Sequence, residues 1–210
     1  MNSQTEKLRI QGAAGAIEVL RDRAADAAPA LGVAVIAHPH PLFGGTMDNK
    51  VVQTLARAFV GCGWTAVRFN FRGVGASEGV HDEGRGECDD MREVVAQLAP
   101  EGPLAIAGFS FGAFVASCAI DRLWAARDIR QVVLVGTAAS RFSVAPLPPE
   151  AHERALVVHG ERDDTVPLAA VMDWARPQSL PVTVVPGGGH FFHGQLPLLK
   201  NLVARHLRAG

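Results

Sequence analysis

The pattern G-x-S-x-G occurs twice, as Gly75-Ala-Ser77-Glu-Gly79 and as Gly108-Phe-Ser110-Phe-Gly112. A serine in this pattern can attack a carbonyl when a strand leads into a strained turn and a helix follows at once, so that the hydroxyl projects outward. The second match has that setting: apolar Leu104 to Ala107 precedes it and Ala113 to Ile120 follows directly. The first is followed by Val80-His-Asp-Glu-Gly-Arg and reads as a turn residue in a flexible loop. Ser110 is therefore the candidate nucleophile. A serine hydroxyl needs a base within hydrogen-bond reach, itself oriented by an acid. Downstream, Glu161, Asp163 and Asp164 follow a strand-like run, and His190 and His193 follow the glycines 187–189. The order serine, acid, histidine suits such a site. Spacing alone leaves the choice within each group open.

These residues need a scaffold that brings strand ends together. A hairpin is expected from Leu8 to Ile10 and Ala16 to Leu20 across the small residues 12–15. Apolar runs then predict strands over Gly32–His38, Trp64–Phe71, Leu104–Gly108, Gln131–Gly136, Ala155–His159 and Val182–Val185. Helices are expected over Asp48–Val60, Cys88–Leu98, Gly112–Trp124, Leu168–Ala175 and Leu196–Leu207. Alternating strands and helices without a linker or repeat imply an α/β fold: one doubly wound domain over residues 1–210, its sheet mostly parallel, with helices on both faces. Ligands of such sheets bind outside the carboxyl ends of the strands, where all three candidate segments fall.

The composition narrows the alternatives. With 20 Lys+Arg against 21 Asp+Glu and no basic block, nothing points to nucleic acid as a partner. Residues 103–120 carry no charge, but Pro103, Gly108, Ser110, Gly112 and Ser117 make them a strand, turn and buried helix rather than a membrane span. Cys62, Cys88 and Cys118 are odd in number and form no CxxC pair, which fits a reducing compartment. The polar start MNSQTEKLRIQ has no apolar signal region. These features set the expectation of a soluble, cytoplasmic protein, monomeric or a small homo-oligomer, without a membrane partner. His38, His40, His190 and His193 form H-x-H and H-x-x-H pairs, yet Pro39 separates the first and no acid ligand adjoins either. No metal and no cofactor is therefore expected. Gly73-Val-Gly75-Ala-Ser-Glu-Gly79 has the wrong spacing for a dinucleotide loop.

The segments Gly108–Gly112, His159-Gly-Glu-Arg-Asp163-Asp-Thr-Val-Pro167 and Gly188-Gly-His190-Phe-Phe resemble the three catalytic segments of the α/β-hydrolase superfamily. His38-Pro-His-Pro-Leu-Phe-Gly-Gly-Thr-Met47, with Asn70-Phe-Arg-Gly-Val-Gly75, resembles its small bacterial branch without a lid, related to dienelactone hydrolases and acyl-peptidase catalytic domains. The similarity runs from about Val33 to His193. It implies Asp163 as the acid, with Asp164 a turn residue, and His190 as the base, with His193 solvent-facing or anchoring a loop. It also implies no cap domain, because only the stretch from Ala138 to His152 occupies the usual insertion point. One oxyanion donor should be the N–H of Phe111. The second should come from the loop after His38, where Pro39 and Pro41 cannot donate, leaving His40, Leu42 or Phe43; Leu42 and Phe43 are the expected pair of candidates. Phe43, Phe109, Phe111, Phe142 and Phe191 are expected around an open, shallow mouth. Such a mouth suits small acyl esters or thioesters as substrates and a carboxylesterase or thioesterase chemistry. The competing expectations are a binding protein on a hydrolase scaffold and a histidine-ligated metallohydrolase.

Overall fold

In the computed structural model, which describes residues 5–23 and 30–209, one eight-stranded sheet carries the chain. Four residues of the polar N-terminal stretch lie outside the described residues. Strands β1 (Thr5–Gly12) and β2 (Gly15–Asp22) form the antiparallel hairpin, paired from Thr5↔Asp22 to Gly12↔Gly15. β2 joins β4 (Thr65–Phe69) antiparallel. The others, β3 (Val33–Ala37), β5 (Leu104–Phe109), β6 (Ile129–Val135), β7 (Ala155–Gly160) and β8 (Val182–Val185), run parallel in the order β4-β3-β5-β6-β7-β8. The chain passes from β3 out to β4 and returns past β3 to β5. That reversal puts the loop after β3 beside the turn after β5, as Ala37↔Gly108 pairing shows.

Both faces of the sheet are buried, so its strands read as continuous apolar runs rather than alternating ones. In β5, Leu104 and Ile106 enter one core and Ala105, Ala107 and Phe109 the other. The second core is closed by α1 (Lys50–Gly61) and α5 (Leu196–Ala209), through Val51, Leu55 and Phe59 against Leu199, Val203 and Leu207. The first is closed by α2 (Arg85–Leu98), α3 (Phe111–Leu123) and α4 (Leu168–Ala175). Helix α1 begins where Asn49 accepts a hydrogen bond from the Val51 N–H at 2.9 Å.

Several expectations are corrected in detail. Helix α2 begins three residues before Cys88, because Gly84 turns left-handed and Glu87 accepts from its N–H at 2.7 Å. The stretch after β6 holds a short 3₁₀ segment, Pro149–Arg154, that no periodicity announced. Ser77 is not in a loose loop. Its Oγ donates to the Asn70 carbonyl at 2.7 Å and accepts from the Glu18 N–H at 2.9 Å, tying the hairpin to the end of β4. All three cysteines are free; Cys88 is buried and Cys62 and Cys118 are half-buried. No helix among the described residues is long and apolar enough to cross a membrane.

Candidate active site

The turn after β5 holds Ser110 at φ 58°, ψ −116°, between the last strand residue and the first residue of α3. Its N–H still donates to Val135 O at 2.8 Å, so the sheet continues to the serine itself. A positive φ on a non-glycine residue stores strain on the order of 1–3 kcal/mol. The neighbouring glycines make the turn possible. A Cβ at Gly108 would fall against the Gly112 carbonyl, and one at Gly112 against the Ala37 carbonyl on β3.

The acid comes from the turn after β7. Asp163 is buried, and its Oδ1 accepts the N–H groups of Thr165 at 2.9 Å and Val166 at 2.7 Å. Burial pushes its carboxyl up, but the hydrogen bonds from His190 and the Val166 N–H outweigh this and hold it below the ordinary carboxylate range. Asp164 is exposed. Glu161 is committed elsewhere, accepting from the Gly187 N–H at 2.7 Å.

The histidine comes from the loop after β8. The acid and histidine turns are laced together: Glu161 N–H donates to Val185 O at 3.0 Å and Arg162 N–H to Gly188 O at 2.8 Å. A side chain at Gly160 would strike the Gly188 carbonyl. Phe192, at φ 50° and fully buried, pins the far side of the loop. His190 is thereby set between the other two residues: Nδ1 donates to Asp163 Oδ2 at 2.7 Å and Nε2 accepts from Ser110 Oγ at 2.9 Å. His193 is exposed and takes no part in this chain.

Two further histidines support the loops. His159 is buried and donates from Nε2 to Val166 O at 2.9 Å, with Asp163 Oδ2 3.4 Å away. Burial pushes its pKa down, which keeps the ring neutral. His38 is pushed down to about 4 by burial. Its Nε2 accepts from the Phe71 N–H at 3.1 Å, so Nδ1 carries the proton donated to Pro39 O at 2.6 Å. His38 thus fastens the loop after β3 to the chain after β4. The four imidazoles of the H-x-H and H-x-x-H pairs are not gathered, and no group of three or more metal-ligating side chains occurs among the described residues.

The oxyanion expectation is corrected for Leu42 and Phe43. Pro41–Phe43 forms one 3₁₀ turn, in which Leu42 N–H donates to His40 Nδ1 at 3.2 Å and Phe43 N–H to His40 O at 3.2 Å. Both donors are spent inside the turn, and their side chains point into solvent. The His40 N–H and the Phe111 N–H have no acceptor among the described residues. The aromatic rim is corrected too: Phe109 is fully buried, its ring 5.0 Å from that of His190, and belongs to the core beneath the site. Phe43, Phe111, Phe142 and Phe191 do line a cavity of about 400 Å³ that opens over Ser110 and His190. Sequence reasoning missed the supporting role of His159 and passed over Arg141, which lines the same cavity. Chain order gave a signal for the first, at a strand end beside the acid, and none for the second.

Residues 32–196 match a family model described as the alpha/beta hydrolase domain. The chain is 34% identical to XC6422 from Xanthomonas campestris, described as a serine hydrolase without lid, with a TM-score of 0.87, covering 100% of this chain and 96% of that one. It is 38% identical to an alpha-beta serine hydrolase homologue from Coxiella burnetii, with a TM-score of 0.81, covering 96% and 97% of the two chains. An uncharacterized protein of Rickettsia prowazekii (strain Madrid E), RP471, is 46% identical over 88 residues, which span 40% of this chain and 37% of that protein. The chain belongs to the alpha/beta hydrolase family, and its fold is that of the relatives without a lid.

Proposed function

We propose that this alpha/beta hydrolase is a serine esterase, of carboxylesterase or thioesterase type, that cleaves small acyl esters through an acyl-enzyme. The observation that carries the reading is the unbroken hydrogen-bond chain from Ser110 Oγ through His190 to Asp163, at 2.9 and 2.7 Å, at the floor of an accessible cavity. Ser110 Oγ attacks the carbonyl carbon while His190 Nε2 takes its proton. Asp163 Oδ2 holds the imidazole by the Nδ1–H and stabilises the imidazolium that forms. The N–H groups of Phe111 and His40 receive the negative charge that develops on the carbonyl oxygen, a contribution of about 3–4 kcal/mol per donor elsewhere. His190 then returns the proton to the leaving alcohol or thiol. Water, deprotonated by the same nitrogen, releases the acid and restores Ser110.

The short stretch from Ala138 to His152 leaves the cavity open, which favours a small acyl group or an accessible ester on a larger molecule. Hydrolysis of 4-nitrophenyl acetate and butyrate by the protein and by Ser110→Ala tests the reading. Turnover by the protein and none by the folded variant is the expected result. Undiminished turnover by Ser110→Ala would remove the serine from the chemistry.

A further inference from the structure

The cavity over Ser110 has an uneven charge. Among the described residues its lining contains Arg141 and no aspartate or glutamate. Asp163 lies buried behind His190, its oxygens already taken. Arg141 sits on the stretch that follows β6, where the N–H groups of Arg141 and Phe142 both donate to Ala138 O at 3.1 Å and fix the turn. Phe142 anchors this turn from the other side, stacked on Phe114 at 4.8 Å and 12°, and 5.2 Å from Phe111, the residue next to the nucleophile. The backbone under Arg141 is therefore held in place relative to Ser110.

The guanidinium itself is unspent. Many arginines of this chain are paired with carboxylates, such as Arg68 with Asp22, Arg72 with Asp90 and Arg85 with Asp82. Arg141 has no ion pair and no side-chain hydrogen bond among the described residues, and it is exposed. A planar fork of five donors at the wall of a largely apolar, aromatic-lined cavity recognises a carboxylate by two parallel hydrogen bonds. A single guanidinium balances one negative charge; among the described residues no other arginine and no lysine lines the cavity to meet a dianion such as a phosphate.

We infer that the substrate is an ester bearing a free carboxylate apart from the bond that is cleaved, and that Arg141 is the specificity residue that receives it. The inference rests on Ser110 acting as nucleophile at this site. The aromatic walls would hold the carbon chain or ring that joins the two groups.

The test compares matched esters. Mono-4-nitrophenyl adipate against 4-nitrophenyl hexanoate places the carboxylate on the acyl side; 3-butyryloxybenzoate against phenyl butyrate places it on the leaving group. The protein is expected to prefer the anionic member of one pair by about tenfold in kcat/KM, mainly through KM, and less at 0.5 M salt, as a charge-assisted hydrogen bond in an open site requires. In Arg141→Gln the ratio should fall to about one; Arg141→Lys, which keeps the charge but not the fork, should fall between. Equal handling of both members by the protein, or a preference that survives in Arg141→Gln, overturns the inference. If no ester at all is turned over, the serine-esterase reading fails instead. Calorimetric titration with adipate then decides the remaining question: binding that Arg141→Gln abolishes upholds the carboxylate site, and absent or unchanged binding overturns it.

Discussion

Replacing His40 by proline and, separately, by alanine divides a backbone donor from the side chain that precedes it in every simpler test. His40 has φ −53°, close to the value of about −65° that proline imposes, so the ring fits the existing backbone. Both variants lose the imidazole, with its packing on Phe43 and Phe111 at 4.8 Å and its hydrogen bond from the Leu42 N–H at 3.2 Å. Both therefore free the Leu42 N–H equally. Only the proline variant loses the His40 N–H, which has no acceptor among the described residues. Losing one of two oxyanion donors raises the barrier by about 2.7–4 kcal/mol, or about 10²- to 10³-fold in kcat. Because this donor acts on charge that appears in the transition state, KM should change little. Initial rates on 4-nitrophenyl butyrate, with circular dichroism and thermal melts to match the folded states, give the comparison. Equal kcat in two equally folded variants would refute the donor assignment and return the role to another group of the loop.

Three other outcomes follow from the same geometry. In Asp163→Asn an amide N–H₂ facing His190 Nδ1 forces the tautomer whose Nε2 carries a proton toward Ser110, so kcat should fall about 10⁴-fold in a folded protein; a loss under tenfold would contradict the orienting role. Ser110→Gly relieves the positive φ that Ser110→Ala retains, so chemical denaturation should find the glycine variant more stable by about 1 kcal/mol, and the reverse order would deny the strain. For His38 the unfolded chain takes up a proton near pH 6.5 and the folded one only near 4, where burial has pushed it. Unfolding is therefore favoured progressively as pH falls through that window, by on the order of 3 kcal/mol from this group. His159 and His206, also pushed down by burial, add in the same direction; urea midpoints that stay constant from pH 7.5 to 4.5 would contradict the buried neutral rings.

What the sequence disclosed and what it concealed divide along physical lines. Ser110, Asp163 and His190 were legible because each follows a parallel strand and sits among residues with narrow backbone requirements: two glycines crowded by carbonyls, an acid that closes its own turn, and a glycine run before the ring. The structure brings these three side chains into one hydrogen-bonded line. The second oxyanion donor was not legible, since choosing between His40, Leu42 and Phe43 requires knowing which N–H groups a 3₁₀ turn consumes. Phe109 was misplaced at the rim for a similar reason: being on a strand that is buried on both sides, it follows the period of two inward with Ala105 and Ala107. Ser77 looked loose because its partners, Glu18 and Asn70, are brought to it only by the sheet. Arg141 carried no signal at all, as an arginine in a short connecting stretch is ordinary until the cavity it faces is known.

In the proposed reaction one activated serine does the chemistry. Incubation with a fluorophosphonate probe, intact-mass analysis and peptide mapping tests it most directly, because the probe labels only a serine supplied with a base and working oxyanion donors. A single adduct on Ser110, absent in His190→Ala, is the expected result. No adduct on the folded protein, or an adduct on Ser77, would contradict it.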